Sequence, residues 1–405
     1  MNALQGNAIM PGVTIHKRRP LHIGLNAHLL SLTTTYRSAG INGYIYQLLN
    51  RLPVEVSGSP ELTFVAYLHD PCYRGSPGLR VARSAWDTGN PWRRIVWEQT
   101  RLAAFSRRLD LLHGMAFVCP LVSACPTVVS VHDLSFMRYP EAFRRFNRTY
   151  LSLFTRLSVR RAARVIAGSE STRQDVIELC NVRPERVVTV LDGVDEAFTP
   201  ASASACDEFR RAKGLPDGYI LYLGTLEPRK NIARLIDAYA ALKRPGGRQL
   251  PPLVIAGAKG WFYESLFTQV TSLGLLDDVL FPGFIAAEEL PWWYRGATLF
   301  VYPSRFEGFG LPVLEAMASG TPVITSNVSS LPEVAGDAAL LVDPDDTAAL
   351  SDAIASLLSD AALRERLRSS GLQRAATFSW NRTAAETIRV YRQVLGAADG
   401  GHHGA

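Results

Sequence analysis

Cysteine is scarce in this chain of 405 residues, with only Cys72, Cys119, Cys125, Cys180 and Cys206 and no C-x-x-C pair. So sparse and odd-numbered a set argues against a disulfide framework and against a cysteine-held metal, and makes a reducing cytosol the simplest compartment. Charge is modest as well. Asp, Glu, Lys and Arg make up 20% against 47% apolar residues, the balance of a globular chain rather than a disordered one. Long uninterrupted apolar runs are lacking too. Leu111–Val131 has no charged side chain in 21 residues, long enough to span a bilayer. Pro120 and Pro126 break it, however, and His113, Gly114 and Ser123 dilute it, so it reads as two buried strands joined by a loop. Lys17-Arg18-Arg19 ahead of Leu21–Leu30 only faintly imitates a signal peptide, because His22, Asn26 and His28 interrupt the apolar part. His402-His403 is too little for a metal site. The chain is thus expected to have no spanning segment, no resident metal and no short repeat.

What is present is alternation. Short β-branched runs, among them Leu21–Asn26, Thr63–Tyr67, Thr127–Val131, Leu253–Ala256 and Leu299–Tyr302, take turns with longer amphipathic stretches such as Arg145–Arg161, Ile232–Leu242 and Ala361–Ala375. That pattern predicts α/β architecture with parallel sheets flanked by helices. The length fits two domains rather than one core. Residues 1–20 read as an N-terminal extension, 21–200 and 201–378 as two Rossmann-like doubly wound domains, and 396–405 as a disordered tail. The boundary falls in the polar, small-residue stretch Thr199–Ala205. Open α/β sheets bind ligands at the carboxyl ends of their strands. His132, Ser169, Gly224, Gly257, Gly283 and Ser304 each follow such an end, so two sheets facing across a cleft would bring them together.

Net charge is +6, unevenly spread: Pro91–Arg164 holds 13 arginines and 4 acids, interleaved with Trp92, Trp97, Phe143 and Phe146. Such a surface suits nucleic acid, anionic lipid headgroups, or solvent alone.

The densest stretch is Tyr302–Ser326, YPSRFEGFGLPVLEAMASGTPVITS. It reads as a strand end, a glycine turn, a short helix and a second strand. Glu307 lies in the turn and Glu315 eight residues on, in the helix. Between them Gly308, Phe309, Gly310 and Leu311 offer backbone amides at a helix N-terminus, suited to an anion, while the carboxylates suit hydroxyls. Phosphate plus polyol describes a nucleotide sugar; an ordinary strand–turn–helix with surface glutamates is the other reading.

Glu307–x7–Glu315 followed by Ala316-Met317-Ala318-Ser319-Gly320-Thr321-Pro322-Val323 resembles the signature of retaining GT-B glycosyltransferases of family 4, the group 1 glycosyl transferases. The resemblance continues in the family's order. It runs through Gly40-Ile41-Asn42-Gly43, Val131-His132-Asp133-Leu134, Ala167-Gly168-Ser169-Glu170-Ser171, Asp192-Gly193-Val194-Asp195 and Gly224-Thr225-Leu226-Glu227-Pro228-Arg229-Lys230-Asn231 to Phe378-Ser379-Trp380. It spans roughly residues 20 to 395.

The resemblance implies a GT-B fold, with the first domain on the acceptor side, the second binding the donor, and a helix over 379–395 crossing back onto the first. It implies His132, Glu307, Lys230 and Arg229 as catalytic residues: Arg229 and Lys230 on the donor diphosphate, Glu307 on the donor sugar, and His132 beside that sugar as electrostatic support, with Asp133 orienting its ring. It implies a donor site of Glu315 on the ribose, the amides of Phe309, Gly310 and Leu311, and Gly224, Thr225, Gly40, Gly43, Ser169 and Phe284. There are departures: Thr225 and Gly43 stand where many members have Arg, Asn42 where they have Gly, and Asp192 where they have Asn. No cofactor and no metal is implied, since two cations and helix amides can hold the diphosphate. HDLSF-x-R-x-P-E and E-S-T-R-x-D resemble mannosyltransferases of polysaccharide assembly. GDP-mannose is therefore the favoured donor, with UDP-glucose and related donors left open. The expected partners are the nucleotide sugar, a saccharide or lipid-linked acceptor, and an anionic membrane through 91–164, with no nucleic acid. The expected location is cytoplasmic, peripheral on the inner face of the membrane. A nucleotide-sugar epimerase or a non-catalytic binder on the same fold is the alternative.

Overall fold

The computed structural model describes residues 19–32, 40–58, 61–143, 145–243, 250–258, 260 and 263–396. Expectations for the first 18 residues, the tail beyond Gly396, Arg144, and the side chains of Arg145 and Phe146 lie outside the described residues.

Two parallel sheets form. The first holds β1 (Leu21–Asn26), β2 (Leu62–Leu68), β3 (Leu79–Arg83), β4 (Leu111–Gly114), β5 (Thr127–Val131), β6 (Arg164–Ala167) and β7 (Val187–Thr189), in the order β3-β2-β1-β4-β5-β6-β7. The second holds β8 (Ile220–Leu223), β9 (Leu253–Ala256), β10 (Val279–Gly283), β11 (Leu299–Tyr302), β12 (Val323–Ser326) and β13 (Leu340–Val342), in the order β10-β9-β8-β11-β12-β13. Every residue of β5, β9, β11 and β12 is buried, as strands covered by helices on both faces require. In each sheet the strand order reverses beside its first strand, at β1/β4 and at β8/β11. Those switch points open the crevices where α/β sheets take ligands.

The chain crosses between the domains twice, and the crossings touch. Val194 bridges Ser379, and a Cβ on Gly193 would lie 2.2 Å from the Trp380 amide, so no side chain fits there. Helix Trp380–Leu395 then returns to the first sheet, burying Trp380, Ala384, Ile388 and Tyr391 in its core. The Tyr391 hydroxyl meets His113 Nδ1 at 2.6 Å, and His113 Nε2 meets Ser130 Oγ at 2.8 Å.

Besides the short helices Ser135–Arg138 and Leu331–Ala335, the unforeseen elements include one strand and one longer helix. β3, LRVAR, is an edge strand whose arginines hide its alternation. Helix Ala203–Lys213, capped by Ser202, starts inside the stretch read as linker. Small and polar residues gave it no apolar stripe to reveal it.

Candidate active site

Both switch points contribute. After β8 the chain makes a 3-10 turn, Pro228–Lys230, then enters the left-handed region at Asn231, φ 60°. The Asn231 side chain donates to the Pro303 carbonyl (3.1 Å) and the Pro344 carbonyl (2.7 Å), fastening this turn to the loops after β11 and β13. Arg229 and Lys230 are thereby aimed at the turn before helix Leu311–Ala318. Lys230 Nζ donates to Glu307 Oε1 at 2.6 Å and to the Tyr302 hydroxyl at 2.7 Å. Arg229 donates to Glu227 Oε1 at 2.7 Å and to the Phe306 carbonyl, with Glu307 Oε2 3.5 Å away. The side chains of Lys230 and Glu307 are each only 10% exposed.

Four charges in so dry a place shift one another. Burial pushes the Glu307 carboxyl up, but Lys230 and Arg229 outweigh it and hold the group down at about 2. Arg229 is driven up: burial opposes its charge, and Glu307 and Glu227 overcome the opposition. Lys230 is pushed down by burial and by Arg229, against the pull of Glu307. Two cations are neutralised by two carboxylates here. An anionic ligand there would compete with Glu307 for Lys230.

The first domain closes on this cluster at Gly308. Ser169 Oγ and Thr172 Oγ1 donate to the Gly308 carbonyl at 2.6 and 3.0 Å. Ser169 also caps helix Glu170–Cys180, accepting from the Thr172 amide. A Cβ on Gly308 would stand 1.9 Å from the His132 carbonyl oxygen, so glycine alone permits this approach. The His132 ring lies edge-on to Tyr44 (4.6 Å) and Phe117 (5.7 Å), and its Nε2 donates to the Met115 carbonyl at 2.9 Å. Burial lowers its pKa. Asp133 does not orient the ring. Its Oδ1 accepts from the Ser135 amide and hydroxyl, a local bond that a short acid makes readily.

Phe309 is buried against Phe378, Gly310 has φ 115°, and Leu311 opens the helix with Pro312 in its first turn. On that helix Glu315 accepts from the Tyr294 hydroxyl at 2.9 Å. Burial raises its carboxyl to about 7, with Asp195 adding to the rise. Gly224 follows β8, its amide bonded to the Ala256 carbonyl, and the Thr225 carbonyl accepts from Tyr222. Gly40 (φ 49°) and Gly43 stand at the start of helix Ile41–Glu55, whose Tyr44 touches His132. Phe284 follows β10, two strands from β8 and so about 10 Å aside, and is 48% exposed.

The structure thus gathers Arg229, Lys230, Glu307, Gly308, His132 and Ser169 into one junction, with Glu315 reached along the helix. Sequence reasoning missed Glu227, Tyr302, Thr172 and Tyr294 as their partners. Glu227, Thr172 and Tyr302 stood inside quoted motifs or stretches, where nothing local marked them as partners.

Two Rossmann-like domains meeting over buried cations and carboxylates define a GT-B glycosyltransferase. Residues 24–198 match the model of Glycosyltransferase Family 4 and residues 207–374 that of Glycosyl transferases group 1. The chain is 38% identical over 286 residues to the O-antigen chain mannosyltransferase B of Escherichia coli, covering 70% of this chain and 74% of that protein. It is 34% identical over 278 residues to the serotype-specific mannosyltransferase WbdA of the same species, 66% of this chain but only 34% of that protein. The sucrose-phosphate synthase structure from Thermosynechococcus elongatus superposes with a TM-score of 0.74 at 23% identity, over 93% of this chain and 100% of that one. The chain belongs to this glycosyltransferase family.

Three buried carboxyls set a pH dependence. Glu307, depressed to about 2, contributes stability that is present above the ordinary carboxylate range and lost as pH falls toward 2. Glu315 and Asp192 are both raised to about 7 by burial, so the folded state holds their protons longer than the unfolded chain. Their contribution is complete below the unfolded pKa and is lost as pH rises through about 7. Glu315→Gln is expected to raise stability at pH 8, by on the order of 3 kcal/mol at most, and to leave it nearly unchanged at pH 4. Denaturant melts at both pH values check this; an equal effect at both would place the Glu315 titration elsewhere.

Proposed function

We propose that this chain is a retaining, metal-independent hexosyltransferase that moves mannose from GDP-mannose, or a related hexose from another nucleoside-diphosphate sugar, to a saccharide or lipid-linked saccharide. The observation that carries the reading is the Arg229–Lys230–Glu307 cluster facing His132 across Gly308. As the bond from the anomeric carbon to the diphosphate breaks, its electron pair goes to the phosphate oxygen. Arg229 and Lys230 stabilise the charge that grows there, as oxyanion donors do. Glu307, released from Lys230 by the diphosphate, accepts from donor-sugar hydroxyls. Glu315 accepts from the ribose hydroxyls. The His132 carbonyl, turned toward Gly308, lies where positive charge develops on the sugar ring. The acceptor oxygen attacks on the face the diphosphate leaves and passes its proton to the departing phosphate oxygen, and the anomeric configuration is kept. Mannose is favoured because the relatives named above are mannosyltransferases.

Thermal-shift screening against GDP- and UDP-sugars tests the donor, because a ligand of the folded state raises apparent stability by mass action. GDP-mannose is expected to give the largest shift, and an α-mannosyl product is expected by NMR. EDTA is expected to leave the rate within about twofold, since Arg229 and Lys230 supply charge that a metal would otherwise bring. Strong inhibition reversed by Mn²⁺ or Mg²⁺ would overturn the metal-free mechanism.

The basic face of the first domain is the proposed contact with an anionic leaflet. Trp92 is 60% and Val122 80% exposed, beside arginines such as Arg93 and Arg107. No helix among the described residues is long and apolar enough to cross a membrane. Binding to phosphatidylglycerol vesicles is expected at low salt, weakened roughly 30-fold by Arg93→Glu with Arg107→Glu, with GDP-mannose binding unchanged. Wild-type protein that ignores such vesicles would make this face a solvated one.

A further inference from the structure

A cavity of about 750 Å³ lies away from the Gly308 junction, along the outer strands β2 and β3 of the first sheet. The helical segment from Pro91 to Arg108 walls its other side. Its volume is that of a small-molecule site. It runs from His22 near the start of β1 to Trp86 beyond the end of β3, so it follows the strands for about 20 Å.

The lining has two characters. Tyr67, Trp97 and Phe105 form an aromatic floor: Tyr67 and Phe105 stack at 5.4 Å, and Trp97 lies 6.2 Å from both. Arg80, Arg101 and Arg108 stand exposed around this floor. Among the described residues none of these three has a carboxylate within 4.0 Å, and no acid lines the groove. Burial raises the pKa of the Tyr67 hydroxyl, and the charges of Arg80 and Arg108 oppose that rise. Elsewhere this protein pairs arginines closely with carboxylates, as at the mostly buried Arg229 and the exposed Arg138. Uncompensated guanidinium groups around an apolar slot complement a ligand with an anionic end and an apolar body.

We infer that this groove binds a single lipid phosphate, an isoprenoid or acyl chain lying on Tyr67, Trp97 and Phe105 with its phosphate held by the surrounding arginines. The inference rests on the reading of the acceptor as lipid-linked. A saccharide carried on such a lipid would be tethered to the acceptor-side domain, whose strands β1 to β3 end at the cleft. The chain's own first 18 residues are an unfavourable occupant. They lead into Arg19, which pairs with Asp110 at one end of the groove, but they contain no acid and carry Lys17 and Arg18. Like charge would meet like.

The test titrates the full chain with dodecyl phosphate below its micelle concentration, read by tryptophan fluorescence and calorimetry. Dodecanol and inorganic phosphate are separate probes. Dodecyl phosphate is expected to bind saturably, at least ~10-fold tighter than either half alone, and Arg80→Gln with Arg108→Gln to weaken it by roughly 30-fold. The GDP-mannose thermal shift of that variant is expected to match wild type. Three results would overturn the inference: no saturation by the full chain, as when residues 1–18 or a second copy already fill the groove; equal binding of dodecanol; or binding indifferent to the two arginines. A missing GDP-mannose shift in wild type, with dodecyl phosphate still bound, would sink the proposed transferase reaction and leave the groove standing.

Discussion

Lys230→Ala is expected to lower turnover by ~10²-fold or more, the scale of removing one well-placed donor from a developing anion. The ammonium is buried, bonded to Glu307 at 2.6 Å, and points along the turn where the proposed diphosphate would sit. An interaction made mainly in the transition state lowers kcat and kcat/KM together, whereas lost ground-state binding raises KM alone. Stability falls as well, because Glu307 keeps only Arg229, at 3.5 Å, as a close cation. Breaking a buried pair by removing one partner is costly, about 3–5 kcal/mol in general. Kinetics must therefore be run well below the melting point. Arg229→Lys is expected to be harmful too, since a single ammonium nitrogen lacks the planar fork whose two ends reach Glu227 and the Phe306 carbonyl. Turnover of Lys230→Ala within threefold of wild type would remove Lys230 from the chemistry.

Much of this arrangement was legible in the sequence, and the reasons are local. β9 and β11 are continuous apolar runs and β5 a β-branched one, a local signal bounded by turn residues. Arg229, Lys230, Glu307 and Glu315 sit in short motifs beside strand ends, where an α/β sheet places its ligands whatever the family. What stayed hidden depends on distant pairing. Tyr302 ends β11 as one more buried aromatic, and only the fold shows that its hydroxyl meets Lys230, 72 residues away. Tyr294 and Glu315 are likewise joined by packing between two helices. Asp133 misled because adjacency to His132 looked like partnership, while the cheaper bond was to the Ser135 amide two residues on. β3 was missed because an edge strand can carry arginines on its open side. Asp192, set where the family has Asn, is raised by burial to about 7, so it holds its proton for a substantial fraction of the time near neutral pH. A protonated carboxyl is close to an amide in shape and charge, so the substitution adds less than a full negative charge near the donor.

The contact between the domains gives the second large effect. Gly308→Ala would place a methyl group 1.9 Å from the His132 carbonyl oxygen and 2.7 Å from the Asp133 Cβ. Neither neighbour can yield. The His132 carbonyl belongs to the chain just after β5, and Gly308 is gripped from the same side by Ser169 at 2.6 Å and Thr172 at 3.0 Å. Restoring an ordinary contact distance requires the domains to part by roughly 1.5 Å. A displacement of about 1 Å between reacting groups is enough to cost ~10²-fold in rate. The donor contacts proposed for Lys230 and Glu315 lie wholly within the second domain and do not cross the junction. Turnover is therefore expected to fall by ~10²-fold while nucleotide affinity changes by less than threefold. Steady-state kinetics alongside calorimetric titration with GDP separate the two. A Gly308→Ala enzyme with full turnover would mean that catalysis does not need the first domain seated against Gly308, and His132 would lose its place beside the donor sugar.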